Sequence, residues 1–273
     1  MRAKQIPPVV LTIGGSDPSG GAGIQADLKT FTALGVYGAA AITAVTCQNT
    51  QGVSEYVALP AALVAAQVNS VIADMGCAGA KTGMLATGDI VKAIAGLAKE
   101  AGLEPLVVDP VLAAHGGSPL LDEDGVRTLI NCLLPLATVV TPNAPETERL
   151  VGFAIKDVEA AVRAARRLLE MGPKAAIVKG GHLQGDTVDV LLQAGRREPV
   201  LLSAPRIEVH HTHGTGCILS AALTAELAKG LSLEVAARRA KMFVTEAIRY
   251  GLALGKGRGP ANVLAAGTML PSE

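Results

Sequence analysis

Six consecutive residues, Thr212-His213-Gly214-Thr215-Gly216-Cys217, combine small size with an acid–base side chain and run into a long apolar stretch. Glycine lets the main chain approach a ligand closely. A helix beginning here would offer unpaired N–H groups and the positive end of its dipole to an anion. Cys217 falls in the first turn, where a thiolate is stabilised. Gly214, Thr215 and Gly216 as an anion cradle, with Cys217 at its lip, suit phosphoryl transfer. A glycine-rich turn before a buried helix would carry the same residues.

Other polar clusters follow apolar runs. The stretch from Gly14 to Gly23 holds five glycines in ten positions. It lacks the dinucleotide and phosphate-loop spacings, so it is either a loop that closes on a small ligand or a tight turn. Asp27 sits beside the apolar stripe of Ile24, Leu28 and Phe31, as a solvated flank or as a charge needing a partner. Gln48 has an amide suited to one donated and one accepted bond with an amino-heterocycle, or serves as an ordinary loop amide. Asp109 and Glu146 could hold Mg²⁺ through oxygen and water. Alternatively, Asn143 caps a helix whose first turn carries Glu146. Lys179 precedes two glycines, as a phosphate contact or an exposed lysine. Met84 lines a pocket or packs in the core. His210, His211 and His213 fit a metal site poorly beside an anion-favouring helix start, and His213 is expected to shape its loop by hydrogen bonds.

Composition narrows the setting. The chain has 273 residues, 49% of them hydrophobic, with no Trp and aromatics at 2%. Its core must therefore be Ala, Val, Leu and Ile, which suits helices layered on a parallel sheet. Twenty-four basic and 24 acidic residues cancel, which argues against nucleic-acid or membrane partners. Cys47, Cys77, Cys132 and Cys217 form no CxxC pair, as in a reducing cytoplasm. No signal-length apolar segment opens the chain, and no run is long enough to span a bilayer.

These residues must be positioned by alternating elements. Strands are expected at 9–13, 39–45, 78–82, 106–108, 138–140 and 175–178. Helices are expected at 22–34, 60–73, 89–101, 123–134 and 157–171. Segments 187–192 and 200–203 read as a hairpin, and helices 216–229 and 233–254 close the chain. Such alternation predicts one α/β domain over residues 1–273, a mostly parallel sheet with helices on both faces. Ligands then sit beyond the carboxyl ends of the strands, where these clusters fall.

In this order the pieces resemble the hydroxymethylpyrimidine/phosphomethylpyrimidine kinases of thiamine biosynthesis, in the ribokinase-like superfamily. The matching blocks are GGSDPSGGAGIQADLKTFTALGVYG from Gly14, TCQNTQGV from Thr46, KTGML from Lys81 and VDPVL from Val108. TPNAPE from Thr141, VKGGH from Val178 and THGTGC from Thr212 complete them. The resemblance implies a three-layer ribokinase-like fold, often a homodimer, using ATP and Mg²⁺. It implies phosphorylation of 4-amino-5-hydroxymethyl-2-methylpyrimidine to its monophosphate and then to the diphosphate. By matching position, Gln48 would read the pyrimidine, while Gly15, Ala22, Asp27, Met84 and Val111 line its pocket. Asp109 and Glu146 would serve metal and phosphates, with Lys179, Asn143 and Thr212 on the nucleotide side. Gly214, Thr215 and Gly216 would form the anion hole and Cys217 would be catalytic. His211, Ile218 and His115 stand where the family commonly has Asn, Thr and Lys; the last bears on the second transfer, which must neutralise an added phosphate. A pyridoxal kinase is the neighbouring reading, and a non-catalytic pyrimidine binder a more distant one.

Overall fold

Val10 in β1 (Val9–Ser16) packs on one side of the sheet and Leu11 and Ile13 on the other, and all three are fully buried. β5 (Leu106–Val108) and β7 (Ala175–Val178) alternate in the same way. Side chains in a strand point to opposite faces in turn, so apolar residues at every position mean a sheet covered twice. One cover is α2 (Ala61–Met75), α3 (Gly88–Glu100), α4 (Glu123–Thr128) and α6 (Val158–Leu169). The other is α1 (Gly23–Ala33), α7 (Thr215–Ala228), α8 (Leu233–Arg249) and α9 (Val263–Met269). This computed structural model describes residues 6–114, 117–181 and 186–269. His115 and His182 lie outside the described residues. Among those described, no helix is long and apolar enough to cross a membrane.

The remaining strands are β2 (Tyr37–Asn49), β3 (Gly52–Ala58), β4 (Gly79–Thr82), β6 (Val139–Val140), β8 (Thr187–Gln193) and β9 (Val200–Ala204). They assemble in the order β3-β2-β1-β4-β5-β6-β7-β8-β9. Neighbours from β2 through β7 pair in parallel, whereas β3, β8 and β9 pair antiparallel. The sheet is thus mixed, correcting the expectation of a mostly parallel one. The β8–β9 hairpin was expected. β3 was not, because its Ser54-Glu55-Tyr56 centre is exposed and carries little apolar signal.

Several helices also depart from expectation: α9 was not expected, and α8 ends at Arg249 rather than at 254. The helix expected at 123–134 is α4 followed by a π turn, Leu129–Leu133, and it ends where Pro135 enters. α5 (Ala144–Val151) forms after Asn143, which caps it as one of the two readings expected. The chain moves from β1 to β2 on one side and later to β4 on the other. Strand order reverses between β1 and β4, where an open α/β sheet leaves a crevice.

Candidate active site

A cleft of ≈1040 Å³ opens beyond the carboxyl ends of the parallel strands, and every residue singled out above as catalytic, substrate-binding or cofactor-binding lines it. Its floor is the start of α7. Gly214 precedes that helix with φ 82°, a left-handed conformation that glycine adopts without strain, and no side chain caps the helix. A Cβ on Gly214 would run into the Gly21 carbonyl, so the two glycine-rich loops meet backbone to backbone. A Cβ on Gly216 would lie 3.3 Å from Lys179 Nζ, which places that lysine over the helix start.

Lys179 follows β7 and donates to Asp109 Oδ1 at 2.9 Å, while Glu146 Oε2 lies 4.0 Å away. Thr141 and Ser220 also donate to Asp109. Burial would lower the Lys179 ammonium, but Asp109 and Glu146 outweigh it and hold the value above the ordinary lysine range. Glu146 is pushed up to about 7 by burial, with Lys179 opposing. Asn143 and Glu146 close a reciprocal cap: Glu146 N donates to Asn143 Oδ1 at 2.9 Å, and Asn143 N to Glu146 Oε2 at 2.8 Å. The two residues therefore build α5 and face the cleft at once.

Asp27 is not a solvated flank. It is 1% exposed, and both its oxygens accept from Lys81 Nζ at 2.8 Å, with Thr12 Oγ1 donating at 2.6 Å. Burial would lower the Lys81 ammonium, but Asp27 outweighs it and holds the value well above the lysine range. Met84 packs with Ala44, Ala86 and Leu120 and also lines the cleft. Its sulfur lies 3.0 Å from where a Gly15 Cβ would be, so a side chain at Gly15 would need Met84 to shift.

Cys217 corrects one expectation. Burial pushes its thiol up to about 11, with Asp27 and Asp109 adding to the effect and Lys81 and the Gly23 N–H opposing. Desolvation outweighs the opposing Lys81 charge and Gly23 N–H, so the resting group is a thiol rather than a thiolate.

Three cleft residues escaped the sequence reading as participants: Lys81, Asp189 and Lys241. Asp189 on β8 accepts from Gly180 N at 2.8 Å and from Lys241 Nζ of α8 at 2.9 Å. The available signal was a charge inside an otherwise apolar strand, as in Gly-Ala-Lys-Thr of β4. His213 behaves as expected, bonding across the loop to Asp17. His211 accepts from Gly259 N, and Ile218 is core. Among the described residues, no three His, Cys, Asp or Glu gather as a metal site.

The arrangement juxtaposes an uncapped helix start, a buried lysine with two carboxylates, and a wall carrying the Gln48 amide. The family model described as phosphomethylpyrimidine kinase matches residues 17–262. A hydroxymethylpyrimidine/phosphomethylpyrimidine kinase of Haemophilus influenzae is 48% identical over 258 residues, covering 93% of this chain and 95% of that one. A thiamine biosynthesis bifunctional protein of Geobacter sulfurreducens is 48% identical over 259 residues, covering 94% of this chain and 52% of that one. Among solved structures, an ADP complex of a Bacillus subtilis pyridoxal kinase superposes with a TM-score of 0.87 at 37% identity, covering 95% of this chain and 98% of that one.

Proposed function

Since the chain belongs to the phosphomethylpyrimidine kinase family, we propose that its cleft transfers the γ-phosphoryl group of ATP to the hydroxymethyl group of 4-amino-5-hydroxymethyl-2-methylpyrimidine, and then a second one to the monophosphate, in thiamine biosynthesis. The observation that carries this is Lys179, held by Asp109 and Glu146 directly over the uncapped start of α7. That is a place for a highly charged phosphate chain beside donors for its transferring end.

In the transfer, the substrate oxygen bonds to the γ-phosphorus as the bond to the β-bridging oxygen breaks, and ADP leaves with that electron pair. Such a transition state is loose, so positioning and charge neutralisation do most of the work. N–H groups of Gly214, Thr215 and Gly216 receive the transferring group, with Thr215 N giving up its 3.4 Å bond to the Thr212 carbonyl. Lys179 neutralises phosphate charge, and Asn143 and Thr212 flank the nucleotide. Because Cys217 rests as a thiol, its sulfur accepts the substrate proton while passing its own to a phosphoryl oxygen. Gln48 reads the pyrimidine between the walls made by Gly15, Ala22, Asp27, Met84 and Val111.

Mg²⁺ is commonly held through one or two carboxylates and completed by water and phosphate. Asp109 and Glu146, two buried oxygen donors beside Lys179, fit it. When bound, the ion would shield phosphate charge. The same reading takes the chain as one ribokinase-like kinase domain, supported by its continuous sheet. It is read as a cytoplasmic homodimer, supported by four free cysteines and by exposed Tyr37, Val45, Tyr56 and Val57 on the β2–β3 edge. A sedimentation run that shows a monomer removes the dimer. The structural likeness to a pyridoxal kinase favours pyridoxal as a second substrate.

The test is ADP release measured with the pyrimidine alcohol, its monophosphate and pyridoxal in parallel. Turnover of both pyrimidines is expected, and none with either removes the assignment. In the same assay, Gln48→Ala is expected to raise the pyrimidine KM roughly 10–100-fold, from one or two lost hydrogen bonds. An unchanged KM takes Gln48 out of the substrate site.

A further inference from the structure

His213 Nε2 lies 3.0 Å from Asp17 Oδ2 and 3.3 Å from Gln48 Nε2. One ring nitrogen cannot satisfy both neighbours in that arrangement. With a proton, it donates to Asp17 but meets a second donor in the Gln48 amide. Without one, it accepts from Gln48 but sets its lone pair against a carboxylate oxygen. Asp17 decides between the two. It is 2% exposed, and its oxygens also accept from Ser19 N and Ala22 N at 2.8 Å. Burial would raise its carboxyl, but the bonds from His213, Ser19 and Ala22 outweigh that and hold it below the ordinary value. An ionised Asp17 calls for a proton on His213 Nε2.

Gln48 must then present its oxygen to the imidazole. The two ends of a carboxamide have the same shape, and their partners decide which is which. With Oε1 toward His213, the amide nitrogen comes to Thr46 Oγ1, which stands 3.2 Å from the other end of the carboxamide. The Thr46 hydroxyl donates to the Ser16 carbonyl at 2.9 Å, leaving its lone pairs to accept. Every donor then meets an acceptor. The ring itself is clamped: a Cβ on Gly21 would strike it, and His213 N donates to the Gly259 carbonyl at 3.0 Å.

We propose that the Asp17–His213 pair locks the Gln48 carboxamide with its oxygen toward His213, making His213 the positioning residue that selects an aminopyrimidine over its oxo counterpart. This rests on Gln48 facing the heterocycle, as proposed above. An aminopyrimidine edge shows an N–H donor beside a bare ring nitrogen. The 4-oxo analogue shows the reverse order, an acceptor oxygen beside a ring N–H. A glutamine free to turn half a revolution reads either edge. A locked one reads only the first, because turning would set its N–H against that of His213.

The experiment compares kcat/KM for the amino- and 4-oxo-pyrimidine alcohols, at saturating ATP, in the native enzyme, His213→Phe and His213→Gln. Native enzyme is expected to prefer the amino compound. Phenylalanine keeps the ring but loses the N–H, so the preference should shrink roughly 10–100-fold, the effect of one or two mismatched hydrogen bonds. That loss should appear in KM for the heterocycle, with KM for ATP unchanged. Glutamine can return an N–H donor, and His213→Gln should recover most of the preference. An unchanged ratio in His213→Phe overturns the lock, as does a native enzyme that uses both alcohols equally. A native enzyme that phosphorylates neither overturns the kinase assignment as well. Nitrogen-15 NMR of the native imidazole with the aminopyrimidine bound needs no variant to fold. A proton on Nε2 is expected there, and one on Nδ1 alone overturns the proposal.

Discussion

Cys217→Ala is expected to cut kcat by about 10²–10⁴-fold, the range a positioned acid–base group contributes, and to leave KM for ATP where it was. The separation follows from the site's layout. Lys179, Asp109 and Glu146 are held by one another and by Thr141, Ser220 and Asn143, so the Cys217 sulfur, although Lys81, Asp27 and Asp109 all act on it electrostatically, does not hold that cluster in place. Removing the sulfur takes away a proton acceptor while the charged cluster stays in place. Cys217→Ser tells a relay from a base. Serine both accepts and donates a proton, so a relay retains part of the turnover that alanine loses. A mechanism that needs a resting thiolate leaves serine as poor as alanine. Alkylation provides an independent reading. A thiol pushed up to about 11 should react at pH 8 well behind exposed Cys47 and Cys132. Full turnover in Cys217→Ala removes the assigned role, and fast alkylation of Cys217 removes the burial argument.

Much of this cleft was legible before any coordinates because backbone chemistry writes itself into residue type. Gly214 is needed for a left-handed residue at a close backbone approach, and a run of small residues signals that directly. Asp109, Asn143 and Lys179 follow short apolar runs, and in a parallel sheet those runs end on one side, so their meeting follows from topology. Long-range partnership was not legible. Asp27 and Lys81 stand 54 positions apart, and Asp17 and His213 are 196 apart. Periodicity says which face a side chain takes, but not which other element's charge it meets. For the same reason Asp189 with Lys241 was passed over.

The Cys217 error has a different source. The dipole of a helix start is read easily from sequence, whereas desolvation depends on everything packed around the group. Here desolvation outweighs the Lys81 charge and the Gly23 N–H that favour a thiolate. The edges of the sheet failed for yet another reason. β3 pairs on one side only, so its residues Ser54 and Glu55 need not be apolar, and the alternation that marks a buried strand is absent.

Lys81→Met should be the most destabilising single change in the site. Asp27 and Lys81 are both fully enclosed, between β1, β4 and α1, with two contacts at 2.8 Å. Taking away one partner of a buried pair strands the other charge, at a cost of about 3–5 kcal/mol. For a chain of this size that is a fall in Tm on the order of 10 °C. The deficit should shrink on acidification. An unpartnered buried carboxyl has its folded-state pKa raised above the unfolded value, so the folded variant binds more protons. Its stability therefore rises as pH falls from the raised value toward the unfolded one near ~4. Asp27→Leu combined with Lys81→Met should restore most of the stability, because a buried pair exchanged for apolar groups is often neutral. The double variant should stay slow, since Asp27 lines the cleft. Thermal unfolding of the three variants at pH 8 and pH 5 checks the stability claim, and turnover of the double variant checks the catalytic one. A Lys81→Met protein as stable as the parent at pH 8 means that losing Lys81 strands no charge, and the ion pair between α1 and β4 then adds no stability.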